Sequence, residues 1–198
     1  SGSISVGPAL ARKPPYDPTK DLVAIGPIHS VPIVMSASSK GNIKNFDDFK
    51  KKATTSKDLI SIGSAGNGSS QHLALELLAL RMGIKLNHIP YKGSGPALND
   101  VVGGQIDMMM DQLTASISHI RNGTIIPIAQ TGKTRSPLLP NVPTFGELGI
   151  KDFEMVTYTG IFGPTGISQP VLDKLTEALK TTLTRADVKE RFAGLGVD

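Results

Sequence analysis

Apolar residues along this 198-residue chain fall into short runs broken by glycine loops, and each loop hands over to a helical spacing. The pattern is sharpest between Ser61 and Gln112. There Leu59-Ile60-Ser61-Ile62 leads into the loop Gly63–Ser70, and an apolar helix begins near Gln71. A second unit repeats the order: Asn87–Tyr91, then Lys92–Gly95, then a short helix opened by Pro96. A strand that feeds a glycine loop at a helix N-terminus leaves backbone N–H groups without intrahelical partners. Together with the positive end of the helix dipole they make an anion site. Glycine also lets the backbone adopt positive φ and approach a ligand with no Cβ in the way. Two such loops so close in sequence predict one cleft.

On either side the same reading continues. Leu22–Ile28 and Val31–Ser36 are apolar runs of strand length interrupted at Pro27 and Pro32, which predicts bends or edge positions rather than a central strand. Asn45 before Phe46-Asp-Asp-Phe49 marks a capped helix start. The helix after the first loop carries Leu73, Leu75, Leu77, Leu78 and Leu80, apolar nearly all round, so it should be well buried and end at Gly83. Its polar exceptions, Gln71, His72 and Glu76, lie toward the loop. Leu86–Tyr91 is the next strand. Gly103-Gly104 turns the chain into a strand at Gln105–Met110, with Asp111 at its C-terminal end. A helix follows at Ala115–Arg121, closed by Asn122-Gly123, and then a strand at Thr124–Ala129. Thr131–Pro143 is loop, and Thr144-x-x-Glu147 is a capping box for a short helix ending at Gly149. Phe153–Phe162 reads as extended, Gln169–Thr184 as a long amphipathic helix capped by Ser168, and Ala186–Ala193 as a last short helix. Strands alternating with helices predict an α/β layer with a largely parallel sheet, whose ligands sit at the carboxyl ends of the strands.

Composition adjusts this picture only at the margins. A hydrophobic fraction of 39% and a charged fraction of 19% allow a real core in one large domain or two small ones. The net charge of +4 is spread out and mildly favours anionic ligands. The densest run, Lys50–Lys52, ends a helix and has no aromatic or recognition motif beside it, so it reads as a solvated face and no nucleic-acid partner is expected. There is no cysteine, which removes disulfides, thiolate nucleophiles and Cys-type zinc sites. No apolar run approaches the roughly 18 residues of a membrane span. The opening at Ser1–Val6, without a signal peptide, is expected to continue a longer chain.

The motifs that could carry chemistry are incomplete. Gly63-x-x-x-x-Gly68 has P-loop spacing, but Ser69 stands where the lysine belongs, and Gly66-x-Gly68-x-x-Gln71 lacks the third glycine of a dinucleotide loop. What remains is a loop of N–H and hydroxyl donors suited to a carboxylate, with a purely structural turn as the alternative. His72 and Glu76 share a helix face, but no third ligand follows at a useful spacing and HExxH is absent, so no metal is expected. His29, His88 and His119 sit in unrelated contexts. Asp107 and Asp111, four apart in a strand, share a side and could form an acid pair. The preferred reading has one capping a neighbouring structure and the other facing the cleft. Met108–Met110 reads as core packing. No GxSxG nucleophile signature is present.

Several ordered segments together resemble one family. They are Ser64–Leu73, His88–Gly93, Pro96–Leu98, Gly103–Asp107, Arg135–Thr144, Tyr16–Pro18 and Phe162–Gly166. The chain is similar to the substrate-binding proteins of the tripartite tricarboxylate transporter system, the Bug family. The resemblance implies an α/β fold like the type II periplasmic binding proteins, with two lobes closing on a small carboxylate. It implies a complete lobe two at 32–155 and an incomplete lobe one at 1–31 and 156–198, lacking an N-terminal segment whose Pro-Gly-Gly loop supplies the facing wall. Carried over, the ligand-binding residues are Ser64, Ala65, Gly66, Asn67, Gly68, Ser69, Ser70, Tyr91, Lys92, Gly93 and Asp111, with Gly2 and Ser3 from lobe one. Asp111 and Tyr91 are expected at the cleft, with Asp111 orienting Lys92, a backbone amide or a bridging water. The resemblance further implies a periplasmic location, membrane transporter subunits as partners, and neither cofactor nor catalysis. Self-association of a chain lacking part of a lobe is expected as well. Two rival classes stay open: the ligand-sensing effector domain of a regulator, and a phosphoryl- or acyl-transferring enzyme, which would need a lysine or activated nucleophile beside the loop.

Overall fold

The computed structural model describes residues 16–195 of the chain. Its backbone hangs on one long strand, β1 (Leu22–Ser38), which has two successive sets of partners. From Leu22 to Pro32 it pairs antiparallel with β6 (Val156–Pro164), ending at Pro32 opposite Val156. From Ile33 it runs antiparallel between β4 (Met108–Gln112) and β5 (Ile125–Gln130). The expected break is therefore a change of partner inside a continuous strand, and its second half is central, not an edge. Both prolines lie in the half that pairs with β6 alone, where a missing N–H leaves no second ladder incomplete. The pairing slips beside Pro27, between Pro27 and His29, as a bulge.

The main sheet has the order β3-β2-β4-β1-β5, with β2 (Ser61–Ser64) parallel to β3 (Asn87–Pro90) and to β4. It is mixed rather than largely parallel. β2, β3, β4 and β5 point one way, and β1 the other because it enters from its β6-paired half. Thr131 holds the entry point. Its hydroxyl accepts from Ile33 N–H (2.9 Å) and donates to the Met155 carbonyl, while its backbone N–H reaches Ile33 O (2.9 Å) and its carbonyl takes Met155 N–H (3.0 Å).

Local signals place the helices. In α1 (Phe46–Thr55) the Asn45 side chain accepts from Asp48 N–H. In α2 (Ser70–Met82) Ser69 is the cap and Gly83 ends the helix at φ 64°. Helices α3 (Ser94–Gly103) and α4 (Leu113–Arg121) each start two residues before the expected position. The Thr144–Glu147 capping pair forms in both directions (2.7 and 3.2 Å), but only turns follow. Thr144 is held as a bridge to Gln130, and Ile150 N–H closes back on Phe145 O, which ends the segment after one coil. Helices α5 (Gln169–Thr184) and α6 (Ala186–Leu195) are the last of the described elements.

The sheet separates two packed faces. On one lie Met35, Met108, Met110, Phe46, Phe49, Leu75, Leu78 and Phe145; on the other lie Met109, Ala97, Val101 and Ile125. The methionine triplet alternates across the pleat as core. Helix α2 is less buried than its leucines suggest: Ala74, Leu75 and Leu78 face the sheet, while Leu80 is 78% exposed, because α2 covers the β3–β2 edge and its outer side meets solvent.

Asp107, just before β4, ties the sheet to α1. It accepts from Lys52 Nζ (2.7 Å), Ser61 N–H (2.9 Å) and Ser61 Oγ–H (2.8 Å). Burial opposes its ionisation, but the Lys52 ammonium and the Ser61 donors prevail and hold the carboxyl below its usual range. A depressed folded value means that its stabilisation is present above the ordinary aspartate range and is lost as pH falls through the folded value. Asp107→Asn is therefore expected to lower the urea midpoint near neutral pH, and the gap to wild type is expected to close in acid as wild-type Asp107 takes up its proton.

Candidate functional site

The carboxyl ends of β2, β3 and β4 open on one side of the sheet, and α2, α3 and α4 start there. The first two loops are bonded into one unit: Tyr91 N–H reaches Ser64 O (3.1 Å) and Gly93 N–H reaches Ala65 O (3.0 Å). Gly66, at φ 127°, lies so close that a Cβ would stand 2.7 Å from the Tyr91 carbonyl oxygen. The requirement at Gly66 is thus both the positive φ and the space. Gly93, at φ 104°, begins α3 in open surroundings, so only its backbone conformation demands glycine. The Ser69 hydroxyl caps α2 by accepting from His72 N–H (3.1 Å), while α3 and α4 have no side-chain cap. Their first N–H groups and positive ends are thus directed at the same region.

Behind the loops lies Asp111, which is 0% exposed. It accepts from Ser94 Oγ–H (2.5 Å) in the first turn of α3, Gln71 Nε2–H (3.4 Å) in that of α2, and Ser116 Oγ–H (3.3 Å) in that of α4. Burial pushes its carboxyl above the ordinary aspartate range, and the bonds from Ser94, Gln112 N–H, Gln71 and Ser116 only partly pull it back. The sequence leads one to expect Asp111 at the cleft, orienting Lys92, a backbone amide or a bridging water. Its side chain is enclosed by three helix starts and meets the Gln112 N–H, a backbone amide, but not Lys92. Tyr91 also points its side chain away from the loop. Its hydroxyl donates to Asp100 Oδ2 (2.6 Å) on α3, and burial, then Asp100, pushes the phenol up to about 12. What Tyr91 contributes to the loop is backbone. Asn67 and Lys92 are exposed, and Lys92 makes no hydrogen bond or ion pair among the described residues. Gly2 and Ser3 lie outside the described residues.

At the outer edge of the first loop His72 accepts from Gly68 N–H at Nδ1 (3.2 Å) and turns Nε2 toward Glu76 Oε1 (3.4 Å). His88 on β3 stacks on it, centroids 4.1 Å apart and 13° between planes, with its own Nε2 held by Ser64 Oγ at 2.7 Å. Burial and the neighbouring His72 lower the His88 value, against a smaller opposite effect of Glu76. The sequence offered no third group beside His72 and Glu76; parallel pairing of β2 and β3 supplies one. Ser94 and Ser116 escaped the sequence reading, and Gln71 figures there only as a polar position toward the loop. Their one signal is position, in the first turn after a strand end. Asp107, the other half of the possible acid pair, lies at the far end of β4 with Lys52 and Ser61, so no pair forms.

Residues 1–198 match the tripartite tricarboxylate transporter family receptor (TctC) profile. A UPF0065 protein of Agrobacterium vitis is 39% identical over 185 residues, covering 91% of this chain and 52% of that one. The structure of the periplasmic binding protein BugD matches with a TM-score of 0.92 and 34% identity, over 100% of this chain and 66% of that one. MatC from Rhodopseudomonas palustris with bound malate matches with a TM-score of 0.89 and 30% identity, over 99% of this chain and 67% of that one. The fold is the mixed α/β fold of periplasmic binding proteins, and the chain spans about half the length of the Agrobacterium relative.

Because its folded value is raised, Asp111 contributes stability that is fully present below the ordinary aspartate range and lost as pH rises through the folded value. Asp111→Asn, which cannot ionise, should retain most of the stability at neutral pH and show a flatter pH dependence. Asp111→Ala orphans donors from three helices and is expected to cost about 3 kcal/mol or more, each orphaned group costing roughly 1–3 kcal/mol. Urea unfolding at neutral and acid pH measures both.

Proposed function

Since the chain belongs to the tripartite tricarboxylate transporter receptor family, we propose that it forms one wall and part of the other in a periplasmic solute-binding protein for a small organic carboxylate. The observation that carries this reading is the bonded pair of glycine loops with the uncapped starts of α3 and α4 directed at one region. N–H groups around Ser64–Ser70, the Lys92 N–H and the first N–H groups of α3 and α4 would hold the carboxylate, with the Lys92 and Asn67 side chains at the rim, while the Tyr91 and Gly93 N–H groups are spent joining the two loops. The malate in the MatC structure, a small carboxylate, supports the ligand class. Residues 32–155 would be lobe two, and 1–31 with 156–198 would belong to lobe one. The change of partners at Pro32–Ile33 and the Thr131 bonds to Met155 support that division. Membrane subunits of a tripartite transporter would receive the ligand. The loops present mainly donors, which suits holding an anion, and the one loop hydroxyl beside a histidine, Ser64 Oγ at 2.7 Å from His88 Nε2, is fully buried.

Magnitudes agree with that role. Hydrogen bonds to a charged group contribute roughly 1.5–3 kcal/mol each, so three or four approach the ~8 kcal/mol of a micromolar complex before association entropy is counted. Calorimetry on the longer protein that contains this chain, titrated with mono-, di- and tricarboxylates, tests it. Saturable binding of at least one of them is expected. Gly66→Val, with folding checked by thermal unfolding, should weaken it at least about tenfold, or about 1.4 kcal/mol. Gly93→Ala, where only the backbone angle is at stake, should weaken it less. Full affinity in both folded variants would exclude these loops from the site.

A further inference from the structure

The edge cluster beside the first loop has the composition of a metal site. A ring nitrogen from each of His72 and His88 and a carboxylate oxygen of Glu76 lie within 4.8 Å of one another. Two imidazoles and one carboxylate form the donor set that zinc takes while keeping a fourth position open. We propose that His72, Glu76 and His88 bind a divalent transition-metal ion of the zinc type beside the first glycine loop. Tetrahedral coordination with bonds of about 2.0–2.2 Å brings ligand atoms to about 3.4 Å from one another; His72 Nε2 and Glu76 Oε1 already stand 3.4 Å apart, so what must close is the gap between this pair and the His88 nitrogen, by up to about 1.4 Å. Glu76, 60% exposed in its side chain, is free to make that adjustment.

The rings must also leave their near-parallel stack, because one ion cannot lie in both ring planes. His88 is the fixed partner, held by Ser64 at 2.7 Å, as a hydrogen bond to the second ring nitrogen orients ligating histidines. His72 is the one that turns, since its tie is the longer 3.2 Å bond from Gly68 N–H. Bound through Nε2, neutral His72 carries its proton on Nδ1, where it meets the Gly68 N–H as donor against donor, so that bond is given up. Solvent reaches the cluster through a depression of about 300 Å³ lined by Glu76, His88, Leu75 and Lys85. Glu76 is the acid at the cluster, and Lys85 also lines the depression.

Zinc(II) titrated by calorimetry, and cobalt(II) followed by its visible absorption, test the proposal on the chain itself. One ion per chain with micromolar affinity is expected. Glu76→Gln, on the exposed face and harmless to folding, should weaken zinc at least about tenfold by removing the one anionic ligand. His72→Ala should do the same, and His119→Ala, away from the cluster, should change nothing. Absence of saturable binding at millimolar metal, or equal affinity in wild type, Glu76→Gln and His72→Ala, overturns it.

Discussion

The arrangement depends on a carboxylate with no access to water. Asp111 ends β4, and its two oxygens collect a donor from the first turn of each of three helices: Gln71, Ser94 and Ser116. A buried carboxylate is costly unless its lone pairs are filled, and three helix N-termini are where donors and positive dipole are both in surplus. Each side therefore satisfies the other. The consequence for the site is geometric. The starts of α2, α3 and α4 cannot drift apart without unmaking bonds at Asp111, so the loops preceding them are held in register.

A second constraint is that β1 belongs to two pairings, and among the described residues β6 pairs only with its Leu22–Pro32 half. The two halves of β1 join around Pro32 and Ile33, where Thr131 bonds both β1 and Met155, and helix α4 also touches α6. Helix α5 packs beside the β6-paired half, donating Thr176 Oγ–H to Ile25 O, yet buries none of its residues, and Val171 and Leu175 stay exposed. The well-packed body of the structure is the main sheet with α1 to α4, and the glycine loops are built on it.

Much of this was legible in the residue pattern. Asn45, Gly83 and Gly123 marked helix ends because capping and positive φ are demands of the local backbone, met or missed within a few residues. The missing lysine at Ser69 excluded a P-loop for the same local reason. The quoted motifs were specific enough to indicate the family. Two local signals misled where packing intervened. Leucines around α2 promised full burial that an edge position does not provide, and the Thr144–Glu147 cap formed without a helix because Thr144 was already bonded to the sheet.

What the sequence by itself determined was the order of elements, the glycines that the loops require and the donor character of the site, since each follows from short-range chemistry. Tertiary structure alone decided the roles of Asp111, Tyr91 and His88. Their partners lie up to 40 residues away, reached only when strands pair and helices dock, and a strand's periodicity says which side a residue faces but not whether that side is open or enclosed. Asp111 reads equally well as a cleft residue or a buried tie until the three helix starts close over it. His88 is an isolated histidine until β3 lies beside β2. The polarity of β1 was equally beyond the local pattern, because a strand carries no mark of which neighbours it will join.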